Sequence, residues 1–338
     1  MFSDVFPAPL KRAGLLALGI VALAIPVSPA LATGPDAERL HQRALRFFTP
    51  LPDAMPGAEN DTGARVQLGQ MLFFDPRLSA NETQSCASCH LLGQGQFGMD
   101  NLAVSPGAFD DVGTRNSPTV LNAGFQASQF WDGRAHDLAD QAGQPILNPI
   151  EMAMPSEQAV LDKLAGIEAY PDAFAAAFPE NAEPLTYANL AEALAAFQRT
   201  LRSPSRFDDF LEGDLAALNE QELRGLDGFI RHNCVRCHDG ALLGGASFEK
   251  LGIYGDYPNQ EDKGRFEVTG DEADRMVFKT SQLRNVAKTG PWYHDGAVDT
   301  LEEAVRIMAE LQLRRRISDE DIVDMTVFLG ALTDESRE

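Results

Sequence analysis

Two short motifs constrain this 338-residue chain more than any other feature. Its four cysteines are Cys86, Cys89, Cys234 and Cys237. Each pair is spaced C-x-x-C and is followed at once by a histidine, His90 or His238, and no cysteine is left over. C-x-x-C-H is the attachment signature of c-type haem. Two thiols form thioethers to the two vinyl groups, and the adjacent imidazole ligates the iron. A redox dithiol would not need a histidine in both copies. A zinc site made of two C-x-x-C pairs usually has them much closer than Cys89 is to Cys234. The pattern therefore implies two covalently bound haems, with His90 and His238 as proximal ligands.

The N-terminus reads as a targeting segment. Lys11 and Arg12 precede an apolar run, 13–27, and Ala30-Leu31-Ala32 offers a small-residue cleavage site. This is the pattern of a secretory signal peptide over 1–32. An uncleaved membrane anchor is the competing reading, although the run is short for a span and contains Pro26. Export to the periplasm suits covalent haem, which cannot escape after translocation. With 28 Lys and Arg against 50 Asp and Glu, the formal net charge is −22. That excludes a generic nucleic-acid binder and argues against docking on anionic lipid. It suits cationic protein partners.

Helical periodicity dominates. Helices are expected over 36–48, 64–73, 156–166, 187–201, 219–232, 301–310 and 318–332, with Thr186 and Ser318 as N-caps. Gly- and Pro-punctuated stretches over 91–155 and 239–295 are too long for ordinary connectors. They read as ordered loops that wrap cofactors. The two haem motifs fall in two halves, with a boundary near Ser203-Pro204-Ser205.

Several segments resemble the bacterial di-haem cytochrome c peroxidase and MauG superfamily. They are Leu72-Phe73-Phe74-Asp75-Pro76-Arg77-Leu78-Ser79, Arg115-Asn116-Ser117-Pro118-Thr119-Val120-Leu121-Asn122-Ala123, Gln129-Phe130-Trp131-Asp132-Gly133-Arg134, Asn148-Pro149-Ile150-Glu151-Met152, Leu283-Arg284-Asn285-Val286 and Tyr293-His294-Asp295-Gly296. They recur in family order and cover most of the chain after Ala64. The resemblance implies an all-α fold of two cytochrome-c-like haem domains with long cofactor-wrapping loops. An N-terminal peroxidatic haem domain would span 33–203 and a C-terminal electron-transfer haem domain 204–338. Glu151 matches the family's catalytic carboxylate. Gln141 matches the amide of the same pocket, Pro145 its distal-side proline, and Trp131 the tryptophan between the haems. Met308 matches the distal ligand of the second haem, where a thioether favours ferrous iron. Asn116 (side chain), Thr289 and Pro291 (backbone carbonyls) match the ligands of a calcium ion, a hard cation that takes oxygen donors.

One departure matters. Many relatives carry a distal histidine in the loop after the first haem motif, and it blocks that iron until the other haem is reduced. Here the position is Ala108, and no histidine lies between His90 and His136. The first haem is therefore expected to be open without reductive activation. Among the other histidines, His294 is expected to be structural, and His41, His136 and His232 to lie at the surface. The leading function is a peroxidase that reduces hydrogen peroxide with electrons from a c-type cytochrome or a cupredoxin. A MauG-like oxidase acting on a partner protein is the alternative. Met308 favours the peroxidase, because MauG itself uses a tyrosine there. A third, non-enzymatic reading is an electron-transfer cytochrome with both irons closed. A homodimer is common in the family.

Overall fold

The long helices begin where a side chain can cap them. Thr62, Ser156, Thr186, Thr300 and Ser318 each accept a first-turn backbone N–H. Each cap satisfies a donor that the helix itself leaves open. The computed structural model describes residues 36–338, so the expected signal segment lies outside the described residues. The main helices are Ala37–Ala44, Gly63–Phe73, Glu157–Ala165, Ala169–Ala177, Tyr187–Arg199, Arg206–Glu212, Glu220–Arg231, Leu301–Leu313 and Asp319–Gly330. The first was expected to run to residue 48 but stops at Ala44. Ala169–Ala177 and Arg206–Glu212 were not expected from the pattern.

The chain is mostly helical. The all-α expectation needs one correction, because two small antiparallel ribbons are present. Leu92–Gly93 pairs with Gln96–Phe97, and Phe248–Lys250 pairs with Val277–Lys279. Both lie inside the stretches expected to be loops. Among the described residues no helix is long and apolar enough to cross a membrane.

Two large apolar clusters form the core. One is built from the first half and includes Leu68, Leu72, Phe73, Phe174, Leu194 and Phe197. The other is built around Phe207, Phe210, Leu226, Phe229, Met325 and Phe328. Leu40, Ala44 and Phe48 belong to the second cluster. The helix Ala37–Ala44, expected with the first half, thus packs on the second.

In each half the helix preceding the cysteines crosses a later helix at a glycine. A Cβ at Gly69 would collide with the Ala193 carbonyl, and one at Gly225 with the Asp324 carbonyl. Only glycine permits so close an approach. The two halves repeat in register beyond this. Asn122 and Asn285 both take a left-handed backbone and both begin a 3₁₀ turn. Phe130 and Tyr293 also have positive φ, as do Gly133 and Gly296. An isolated bridge closes Gln129 on Ala135, and another closes Trp292 on Val298. Asp137 caps one following helix and Thr300 caps the other. From Asn122 to Asp137 each second-half counterpart lies 163 residues later, without a gap. Matching bonds cross between the halves: Asn116 N–H donates to the His294 carbonyl at 2.7 Å, and Lys279 N–H to the Trp131 carbonyl at 2.8 Å.

The second half is pinned by a buried ion pair. The Arg284 guanidinium is fully buried and meets both oxygens of Asp208 at 2.6 Å. Burial pushes the Asp208 carboxyl up, but bonds and charge from Arg284, with the N–H groups of Leu51 and Ser205, outweigh it and hold it below the usual range. Asp208→Asn leaves a buried guanidinium without its charge partner, and is expected to cost roughly 3–5 kcal/mol. Because the folded-state pKa is depressed, the wild-type contribution is complete above the unfolded value of ~3.9 and is lost as pH falls through the lower folded one. Urea denaturation of wild type and D208N at neutral pH should therefore differ strongly. The gap should close in acid, and equal midpoints at neutral pH would refute this account.

Candidate active site

Cys86–Cys89 form one short helical turn, and Cys234–Arg236 a 3₁₀ turn. Each turn places its cysteines and the following histidine on the wall of a cavity. Burial pushes the thiols of Cys86 and Cys234 up to about 12 and that of Cys89 to about 11. They are poor redox thiols, since reactive cysteines have lowered pKa values. His90 Nδ1 faces the Gly98 carbonyl at 3.2 Å, and His238 Nδ1 faces the Leu243 carbonyl at 3.0 Å. A carbonyl only accepts, so Nδ1 carries the proton and Nε2 keeps a bare lone pair. This is the second-sphere arrangement that orients a metal-ligating imidazole.

The donors and walls fit haem. The second cavity is lined by apolar groups including Phe229, Leu251, Phe278, Leu283 and Val305, and Met308 borders it with His238. His294 also borders it. Its Nε2 is buried without a partner, and its ring stacks on Phe278 at 4.3 Å. The first cavity measures about 530 Å³ against about 210 Å³ for the second.

The four residues singled out around the first haem come together. Trp131, Gln141, Pro145 and Glu151 all line the cavity that holds Cys86, Cys89 and His90. Trp131 also borders the second cavity and a small one between them. Its indole N–H donates to the Asn116 carbonyl at 2.9 Å, which fixes the ring. Glu151 sits in a turn whose Asn148 amide donates to its Oε1 at 2.6 Å. Burial raises the Glu151 carboxyl above the usual range, and the nearby Arg134 charge and the Asn148 bond oppose the rise. Asn148 and Arg134 were not anticipated. Both lie within a few residues of recognised positions but carry no motif of their own.

Ala108 is buried, and its backbone N–H donates to the Glu151 carbonyl at 2.7 Å. A Cβ at the preceding Gly107 would strike the Ile150 carbonyl. The loop is thus locked on the Glu151 segment through backbone, and Ala108 itself offers no side chain able to ligate iron. Asn116, Thr289 and Pro291 share the small intermediate cavity. The Asn116 amide donates to the Leu102 carbonyl at 2.8 Å, and Asn101 takes the alternate carbonyls of Lys288 and Gly290. Among the described residues no cluster of three or more His, Cys, Asp or Glu is placed to hold a metal. His136 is exposed, as expected. His41 and His232 are half-buried instead, on the Leu211 carbonyl and Asp321.

The in-register repeat connects the two sites. Pro145 follows Trp131 by fourteen residues, as Met308 follows His294, and both follow a helix cap at the same offset. Proline therefore stands at the first cavity where a thioether stands at the second.

A cytochrome c551 peroxidase of Pseudomonas aeruginosa is 42% identical over 306 residues, covering 88% of this chain and 87% of that protein. The chain belongs to the di-haem cytochrome c peroxidase family. A family profile of that description matches residues 63–216. The family also reaches the methylamine utilization protein MauG of Paracoccus denitrificans, which is 36% identical over 80% of this chain and 82% of its own length. Among solved structures, a MauG-like protein associated with microbial copper homeostasis superposes with a TM-score of 0.76 at 32% identity, over 85% of this chain and 94% of that one. As a member of the di-haem peroxidase family, the chain is an enzyme with haem c cofactors.

Proposed function

We propose that this chain is an exported peroxidase that reduces hydrogen peroxide to two waters with electrons from a small redox protein. The reaction consumes two electrons and two protons. The observation that carries the reading is the pairing of Pro145 with Met308 in the repeat. With Ala108 in place of a blocking histidine, Pro145 would leave the first haem site open to peroxide, while Met308 would give the second a sulfur ligand. The two core clusters support a division into haem domains at about residue 203, with Leu40, Ala44 and Phe48 joining the second cluster.

Haem bound on Cys86 and Cys89 would supply iron that binds peroxide, and haem on Cys234 and Cys237 a second electron store. The protein supplies the proton path and the positioning. The Glu151 carboxylate takes a proton from the nearer peroxide oxygen and returns it to the leaving oxygen, as general base and then acid. Gln141 offers an amide in the same cavity, and the Trp131 indole lies between the two cavities as an electron relay. Met308 as distal ligand suits a haem that receives electrons. Calcium is proposed on the Asn116 side chain with the Thr289 and Pro291 carbonyls, completed by water. The signal-like segment 1–32 supports a periplasmic location. The net charge of −22 complements a basic cytochrome or cupredoxin donor.

Ala108 supports a first iron that needs no reductive activation. The fully oxidised protein should show a high-spin ferric signal alongside a low-spin one. It should also turn over peroxide with reduced cytochrome c and no prior reduction. Two low-spin signals alone, or a lag removed by pre-reduction, would overturn this part. The MauG-like alternative shares Glu151 and Ala108, and predicts instead slow turnover with reduced cytochrome c.

A further inference from the structure

Lys279 closes the Val277–Lys279 strand with its side chain buried. It borders both haem cavities and the small cavity between them. Its ammonium donates to Gln126 Oε1. Among the described residues no carboxylate forms an ion pair with it, and nearby Asp132 is already held by Arg115 and Arg134. A buried cation without a counter-ion is costly, so an anion is to be expected beside it.

The repeat says where that cation stands. Lys279 is the counterpart of Asn116, and their backbones make matching bonds across the halves. Thr289 and Pro291 have Gln126 and Ser128 as counterparts at the same offset. One side of the pseudo-symmetric junction thus groups Asn116, Thr289 and Pro291, the proposed calcium ligands. The other groups Lys279 and Gln126, which are bonded to each other, with Ser128, whose buried hydroxyl has no partner. Trp131 lies beside both groups.

We propose that Lys279 is a tethered cation occupying the counterpart of the calcium position, and that its ammonium pairs with a carboxylate side group of a bound haem. The inference rests on the two-haem reading. Haem carries two propionates, and a paired ammonium neutralises charge that would otherwise favour ferric iron. Lys279 is a positioning residue: it holds the edge of a haem beside Trp131 and keeps that haem's reduction potential up. The burial that pulls the Lys279 ammonium down to about 8 acts on the protein without its haems, and a carboxylate partner restores the charge.

The test compares full-length, haem-loaded wild type with Lys279→Met and Lys279→Arg. Haem content is read from the pyridine haemochrome, and both midpoint potentials from spectroelectrochemistry. K279M should keep two haems per chain and shift at least one potential to lower values, and K279R should restore it towards wild type. Unchanged potentials in K279M, or the same fall in K279R, would overturn the proposal. If K279M does not mature, Lys279→Gln serves as the neutral variant, with a fall expected and no fall fatal. Wild type that fails to consume peroxide would instead sink the peroxidase reading, so the two failures are distinct.

Discussion

Glu151→Gln is expected to lower peroxide turnover by roughly 10²–10⁴-fold, the usual contribution of a positioned acid–base group, while both haems remain attached. The substitution keeps size and leaves the Asn148 side chain a partner, because a glutamine oxygen accepts as the carboxylate does. What it removes is the proton-carrying capacity in the cavity that holds Cys86, Cys89 and His90. In wild type, burial raises the carboxyl, so its ionised base form becomes scarce as pH falls through that raised value. Turnover should decline on that acid side, and the decline should vanish from the small residual activity of E151Q. Stopped-flow peroxide assays with reduced cytochrome c, alongside cyanide binding to confirm an intact first iron, decide the matter. Near-normal turnover, or an acid limb unchanged in E151Q, would remove Glu151 as the shuttle.

The chemistry was more legible in the sequence than the architecture. Cys86-x-x-Cys89-His90 and Cys234-x-x-Cys237-His238 carry their meaning locally, because covalent attachment needs fixed spacing within one turn. Capped helices such as Tyr187–Arg199 were legible for the same reason, since Thr186 and the apolar stripe act over a few residues. The packing of Ala37–Ala44 on the second core was not, because amphipathicity says that a face is buried and not against what. The repeat was also hidden. It is kept in backbone conformation at Asn122 and Asn285, Phe130 and Tyr293, and Gly133 and Gly296, while most side chains between them differ. The positions proposed for the chemistry are among those that differ: Trp131 corresponds to His294, Pro145 to Met308, and Asn116 to Lys279. Lys279 itself gave no signal, since a lone lysine in a short strand normally points to water.

Met308→Ala is expected to lower the reduction potential of the second haem and open its iron while leaving the haem attached. The Leu301–Leu313 helix carries Met308 to the cavity that His238 also lines, and Tyr293 steadies the helix by donating to the Ala304 carbonyl at 2.9 Å. A thioether stabilises ferrous iron, so its loss lowers the reduction potential of that site. The repeat adds a second consequence. With Pro145 already non-ligating at the first cavity, M308A makes the two distal positions alike, and cyanide should bind two irons per chain in place of one. Electron delivery from cytochrome c should then slow, because the receiving site has become the weaker oxidant, while the Glu151 cavity stays unchanged. Redox titration and cyanide stoichiometry are independent readouts. A potential that does not fall, with cyanide still limited to one iron, would mean that the second iron takes its sixth ligand from elsewhere.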